Sequence, residues 1–456
     1  MTGKERVIRV LKHETTDRVP WVPFAGVHAG ALIGKNATEV LSDEKALYES
    51  LKAVHQMYRP DGMPIVFDLQ IEAEILGCEL VWADEAPPSV KTHPLSDTQD
   101  MLCDCKQPEP TMGRLPMVLE VMKKMKEDVG ETTALYGLIC GPFTLASHLR
   151  GNNMFMDMIL DEDYVKTLME YTTTTALKMV DMYVDAGMDV IAVVDPLVSQ
   201  ISPEHFADTC HESFLTLFDY IRAKGAYSSF FVCGNATRQI DMMCKTGPDS
   251  ISIDENVVMK EAKKITDTYN IAIGGNIPLT TLMLHGTQQE NMKYVVDMID
   301  SLDTKNLIIS PGCDMPYAVP TENTIGVAQA VIETDKIREM VKNYEAPEMN
   351  IDVELPNYTQ LKKPLIEVFT LDSATCAACT YMMGAINVAD EHFGDRVNVI
   401  EYKFTEKENI ARCIKMGIKN LPCVFVNGEL KWSSIIPSKG ELFTEIENAC
   451  ETVNKN

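Results

Sequence analysis

No stretch of the 456 residues approaches the roughly 18 consecutive apolar positions expected of a membrane helix. The opening segment, MTGKERVIRVLKHETTDRVP, alternates charge with short apolar groups and lacks the unbroken apolar core of a secretory signal. Basic residues are scarce: 41 Lys and Arg face 67 Asp and Glu, a net charge of −26. That balance argues against nucleic acid or an anionic membrane surface as a partner. Also missing are a G-x-G-x-x-G turn after the first apolar run, any low-complexity tract and any short-period repeat. The 13 cysteines are an odd number, scattered through ordinary sequence, and do not read as a secreted disulfide framework, so a reducing cytoplasm is the expected location. Aromatics make up only 7% of the chain, yet 45% hydrophobic content suffices for globular cores, and the length suits two or three domains.

Between residues 19 and 345, short β-branched runs alternate with longer amphipathic stretches, the pattern of parallel βα units. The expected strands are Val19 to Gly26, Met63 to Asp68, Ala134 to Cys140, Asp189 to Asp195, Ser228 to Cys233, Ser250 to Glu255, Ile271 to Asn276 and Asn306 to Ser310. Eight such strands with intervening helices close most economically as an α/β TIM barrel, (β/α)8, placed at residues 1–345. Functional side chains of a barrel gather at the C-terminal ends of its strands. Those ends carry Asp68, Cys140, Asp195, Cys233 with Asn235, Asp254 with Glu255, Asn276, and Cys313 just past the last.

Cys233 and Cys313 end the fifth and eighth runs, where a barrel can converge them on one mouth. Two thiolates suit Zn2+, whereas the ordinary alternative is a pair of buried small apolar side chains. The ordered segments VFDLQIEAEILGC, GPFTLASHLRG, DPLVSQISPEHF, FVCGN, SISIDENVVMKEAKK, GGNIPLTTLMLHGT and SPGCDMPYAVPTENTIGVAQAV together resemble the uroporphyrinogen decarboxylase superfamily, in its corrinoid methyltransferase branch. The resemblance spans most of residues 1–340. It implies a zinc site built from a His-x-Cys pair and a later Cys, and a methyl group carried on the cobalt of a corrinoid protein. By position the two family cysteines fall on Cys233 and Cys313, while the family histidine falls on Phe231. Residues i and i+2 of a strand share a face, so an aromatic ring stands where an imidazole ligand is expected.

Three protein ligands and an open position are usual for catalytic zinc, so a further donor is needed. Glu255, whose order after Cys233 resembles the His-x-Cys, Glu, Cys series of cobalamin-independent methionine synthase, is the preferred third metal ligand, with Asp254 next. Either acid serves equally well as a loop residue capping the following helix. Asp195 is a candidate catalytic acid that holds substrate or orients a ligand, or else a helix cap. His28, Asp68, Phe231, Asn235 and Asn276 are expected to line the substrate or corrinoid site, although the two asparagines follow glycine and suit tight turns. His148, His205 and His211 read as surface or core residues.

Residues 346–363, EAPEMNIDVELPNYTQLKKP in the main, are rich in Pro and acids and read as a linker. Beyond it, residues 364–456 present a βαβαββα order. Cys376-Ala-Ala-Cys379 sits between a strand and a helix, where backbone N–H groups and the helix dipole favour a thiolate. With Leu421-Pro422 ahead of the strand CVFVNG, this segment resembles thioredoxin-like proteins, whose proline at this place is cis and faces the dithiol. Cys376 is expected to attack a disulfide partner and Cys379 to resolve it; half a zinc site or an inert docking fold are the alternatives.

The expectation is therefore a corrinoid-dependent methyltransferase of one-carbon metabolism. It would move a methyl group between a corrinoid protein and a small-molecule donor or thiol acceptor at a zinc site, with an attached redox module. Two alternatives stand beside it: a tetrapyrrole decarboxylase, and a non-catalytic corrinoid-binding barrel. Decarboxylases of the superfamily supply arginines after the first strand for their polycarboxylate substrate. Here that loop reads FAGVHAGALIGKNATEV, without an arginine.

Overall fold

Seven of the eight expected runs form a single parallel sheet in the computed structural model, which describes residues 1–345, 351–373, 377–418 and 420–455. The strands are β1 (Gly62–Pro64), β2 (Ala134–Cys140), β3 (Val190–Val194), β4 (Tyr227–Val232), β5 (Ser250–Ile253), β6 (Ala272–Ile277) and β7 (Leu307–Pro311), and they lie in chain order across the sheet. Helices such as Leu115–Val129, Glu162–Asp185, His211–Ala223, Met259–Tyr269 and Gln288–Ser301 connect them.

The eighth run, Val19 to Gly26, is not a regular strand, which corrects the sequence expectation: it contributes an isolated parallel bridge from Trp21 to Ile309. Pro20 and Pro23 explain this, since each removes the amide that a ladder would use. The segment still joins the two edges of the sheet. Val22 N–H donates to Ile309 O and Ile309 N–H to Pro20 O, both at 2.9 Å, while Asp61 N–H donates to Trp21 O at 2.9 Å. The curled sheet so closed has the arrangement of a TIM-like barrel. Buried Asp61 pins the seam: its carboxylate accepts Trp21 N–H at 2.8 Å, Arg6 at 2.5 Å and Arg18 at 2.6 Å.

Alternate residues of the strands point inward, as the strand period requires. Tyr136 and Leu138 of β2, Ala192 and Val194 of β3, Phe231 of β4, Ala272 and Ile308 pack there with Val22, Phe24 and Phe67. Cys233 and Cys313, partly buried, rest on this layer. After β7 come two helices, Thr321–Ile332 and Thr334–Val341, separated at Glu333 (φ −121°, ψ 44°).

The chain divides into two compact units, one of Met1–Val198 with Ser202–Ala346 and one of Pro347–Asn456 with Ser199–Ile201. In the second, β8 (Leu365–Thr370), β9 (Asn398–Lys403), β10 (Cys423–Val426) and β11 (Glu429–Ser433) form a sheet of order β9-β8-β10-β11. The β8–β9 pair is parallel; β8–β10 and β10–β11 are antiparallel. Helices Ala377–Phe393, Lys407–Met416 and Lys439–Lys455 complete the βαβαββα order, and Ile366, Val368, Met382, Ile386, Val424 and Ile446 fill its core. The Leu421–Pro422 peptide is cis. Among the described residues no helix is long and apolar enough to cross a membrane.

Candidate active site at the barrel mouth

Cys233 leaves the end of β4 and Cys313 the end of β7, and their sulfurs meet in a disulfide with Cα atoms 6.0 Å apart. The expected convergence is present. In this structure the two sulfurs are bonded to each other, the oxidised form of the pair. Phe231, two residues before Cys233, is fully buried beneath it, with its ring 4.9 Å from that of Phe24 and 5.9 Å from that of Phe67. The aromatic floor leaves no imidazole donor at this position.

The turn that carries Cys233 is held from the neighbouring strand ends. Gly234, at φ +88°, adopts a conformation that favours glycine, and its N–H donates to Asp254 Oδ2 at 3.0 Å. The other oxygen of Asp254 accepts Asn256 N–H at 2.7 Å. Burial raises the Asp254 carboxyl above its usual range. Asn276 donates through Nδ2 to Asp254 O at 3.1 Å and Val257 O at 2.7 Å. Asn235 accepts from Thr237 N–H at 3.2 Å and from its hydroxyl at 2.7 Å, closing a local turn.

Glu255 sits between the two cysteine-bearing loops. Its Oε1 accepts Leu279 N–H at 3.2 Å, while Oε2 is buried without a partner. A Cβ added at Gly312 would come 2.6 Å from that Oε2, so the glycine before Cys313 makes room for the carboxyl. Burial, reinforced by Asp254, pushes the Glu255 carboxyl up to about 8. Reduced, the pair would supply two thiolates beside one buried carboxyl oxygen without a partner, a donor set that suits zinc. Among the described residues, however, no three His, Cys, Asp or Glu side chains are gathered so as to hold a metal ion. With the two sulfurs bonded to each other, Cys233, Cys313 and Glu255 are not gathered around a metal position in this oxidised arrangement, and Glu255 is held by the Leu279 amide.

Other expected site residues are committed to structure. Asp195 is buried and caps the helix Pro142–Arg150, accepting Phe143 N–H at 3.0 Å, Thr144 N–H at 3.1 Å and the Thr144 hydroxyl at 2.6 Å. A side chain at Gly141 would run into this carboxyl. Burial pushes Asp195 up to about 7. Asp195 thus acts as a cap, though of the helix Pro142–Arg150 that precedes it in the chain and not, as expected, of the next helix. His28 is fully buried, and both ring nitrogens are taken, Nδ1 by Tyr317 O at 3.0 Å and Nε2 by the Tyr58 hydroxyl at 2.6 Å. Asp68 is buried in an ion pair with Arg114 at 2.5 Å, and its other oxygen accepts Gln70 N–H at 2.8 Å. His148 lies in the core, His205 is exposed, and His211 lies 3.3 Å from Glu212.

Three groups escaped the sequence reading. Arg114, at the start of the helix Leu115–Val129, balances Asp68 and Glu74. Glu72 is buried, gives Oε1 to Cys140 N–H at 2.9 Å and leaves Oε2 unpartnered, and burial pushes it up to about 7. Asp314, next to Cys313, leaves Oδ1 unpartnered and is raised well above the carboxylate range by burial. Adjacency to Cys313 was a usable signal for Asp314; nothing in IEAEIL marks Glu72 as buried.

In the second unit Cys379 is buried and its sulfur accepts Leu371 N–H at 3.3 Å. Cys376 lies outside the described residues, and Pro422 follows the cis peptide before β10.

Residues 2–334 match the family model for uroporphyrinogen decarboxylase (URO-D). A methylcobamide:CoM methyltransferase, MtbA of Methanosarcina acetivorans, is 28% identical over 354 residues, covering 75% of this chain and 98% of its own length. A uroporphyrinogen decarboxylase from a Wolbachia species of Brugia malayi is 24% identical over 279 residues, covering 59% of this chain and 79% of its own. Among solved structures, a methyltransferase from Methanosarcina mazei superposes with a TM-score of 0.67 at 23% identity over 74% of this chain and 99% of that one, a likeness of fold.

Proposed function

This chain belongs to the uroporphyrinogen decarboxylase family, and from that premise we propose that it is a corrinoid-dependent methyltransferase. It moves a methyl group between a corrinoid carried by a partner protein and a small-molecule donor or thiol acceptor. The observation that carries this reading is the meeting of Cys233 and Cys313 at the ends of β4 and β7. Decarboxylation has no need of two convergent sulfurs, and the arginine-free loop after the seam speaks against a polycarboxylate substrate. The name of the Methanosarcina acetivorans relative, which pairs methylcobamide with CoM, supports the same chemistry.

Once reduced, Cys233 and Cys313 are two soft donors for zinc, and Glu255, through its unpartnered Oε2, is the third. When bound, zinc supplies the Lewis acidity that keeps a substrate thiol deprotonated and nucleophilic near neutral pH. Asp254 and Asn276 act as positioning residues: the first fixes the Gly234 amide beside Cys233, and the second fixes the backbone of the first. Phe231 closes the floor against water and widens the difference from sites that place an imidazole there.

The second unit we read as a thioredoxin-like module. Its βαβαββα order, its sheet order and the cis Leu421–Pro422 peptide support that reading. Cys376 is its attacking thiol and Cys379 its resolving thiol, toward a disulfide partner.

The test is methyl transfer from methylcobalamin to a thiol by the reduced, zinc-loaded full chain, with metal analysis of the same samples. Wild type should carry close to one zinc and transfer the methyl group; Cys233→Ala should lose both by at least about 10-fold. Undiminished transfer in Cys233→Ala, or turnover of uroporphyrinogen instead, refutes the proposal.

A further inference from the structure

Two thiols far from the mouth in sequence are built for chemistry of their own. Cys103 and Cys105 are exposed, whereas every other free cysteine among the described residues is buried. Cys103 caps the short turn Asp104–Lys106, and its sulfur accepts the Cys105 N–H at 3.2 Å. The turn is anchored. Cys103 O accepts the Tyr171 hydroxyl at 3.2 Å, and buried Gln107 donates to Tyr171 O at 3.2 Å and accepts the Thr175 hydroxyl at 2.8 Å. Both anchors belong to the helix Glu162–Asp185. The thiol of Cys105, followed by its backbone amide, holds Cys103 below the usual thiol range, and Lys106 adds to this; the same contact holds Cys105 above it. One sulfur is therefore the better nucleophile and the other keeps its proton, on a surface that small molecules reach.

Residues i and i+2 of a tight helical turn have Cα atoms about 5–6 Å apart, inside the range a disulfide spans. We propose that Cys103 and Cys105 form a surface dithiol that exchanges with small disulfides, Cys103 attacking and Cys105 resolving. The Cys103 thiolate attacks one sulfur of the disulfide R–S–S–R, forming a Cys103–S–S–R bond and expelling RS⁻. Cys105 then loses its proton to solvent and attacks the Cys103 sulfur, expelling the second RS⁻. In sum, two protein thiols become one disulfide and one external disulfide becomes two thiols. This site is independent of the methyl-transfer reading: neither thiol belongs to the cysteine pair at the mouth.

The experiment uses the full chain, reduced and then exposed to oxidised glutathione at neutral pH, alkylated and digested with trypsin. The peptide Thr92–Lys106 contains both thiols and no other cysteine, so its mass isolates this site from the remaining eleven cysteines. Wild type should lose two hydrogens from this peptide. Cys105→Ser should trap a stable glutathione adduct at Cys103, and Cys103→Ser should slow modification of Cys105 by about 10-fold or more. Methyl transfer should be unchanged in Cys103→Ser. Equal reactivity of Cys105 with and without Cys103, or a glutathione adduct that persists in wild type, overturns the proposal.

Discussion

Replacing Phe231 by histidine asks whether the floor of the mouth decides how tightly metal is held. The ring is fully buried against Phe24 and Phe67 and lies two residues before Cys233 on the same strand face. An imidazole there forfeits the aromatic contacts, about 0.5–1.5 kcal/mol, and buries ring nitrogens without partners, about 1–3 kcal/mol. Phe231→His should therefore destabilise the metal-free chain by roughly 1.5–4.5 kcal/mol, the sum of those terms. With zinc the sign of part of that change reverses, because a further protein ligand tightens binding and binding to the folded state adds to its stability. Urea unfolding of the reduced protein, with and without zinc, measures both halves, and competition with a chelator measures affinity directly. If the variant without metal is as stable as wild type, or if zinc is held no tighter, then Phe231 does not face the cysteine pair as described and the reasoning fails.

Asp61→Ala should lower stability by about 3–5 kcal/mol, since it strands buried Arg6 and frees the seam at Trp21; a thermal midpoint close to wild type would contradict that role. Glu72 gives a pH signature. Burial lifts its carboxyl from 4.5 to about 7 in the folded chain, so the folded state holds the proton longer than the unfolded state. That contribution is complete below the unfolded value and lost as pH rises through the folded one, on the order of 3 kcal/mol in all. Glu72→Gln should flatten stability across this window in urea titrations, and parallel profiles for the two proteins would rule it out.

Of the barrel strands, Ala134–Cys140 matches its expected bounds to the residue, whereas the run expected at Met63–Asp68 is a strand only at Gly62–Pro64. Ala134–Cys140 is a continuous apolar run because helix covers one side and the barrel interior the other. The seam was misread for a local reason, since Val-Pro-Trp-Val-Pro has strand composition but two missing donors. The cysteine pair was legible because βα topology can bring strand ends to one mouth and because the ordered motifs around the two cysteines resemble the corrinoid methyltransferase branch. What could not be seen was which acids end up dry and which are neutralised. Asp68 meets Arg114 from 46 residues away, and Glu72 meets the amide of Cys140 from 68 residues away. Such pairings follow from packing between distant segments and leave no periodic trace. His28 and Asp195 stand at the right positions for a site, yet their hydrogen bonds turn inward to helix and loop backbone.

Because β5 and β6 lie between β4 and β7 in the sheet, a link between Cys233 and Cys313 runs as a chord across the rim rather than along it. Whatever spans that chord, sulfur directly to sulfur or through an intervening ion, also fixes the aperture. On the proposed reading, chemistry and gate width are then governed by the same two side chains, and a reactant would have to fit the opening that its own activating group sets.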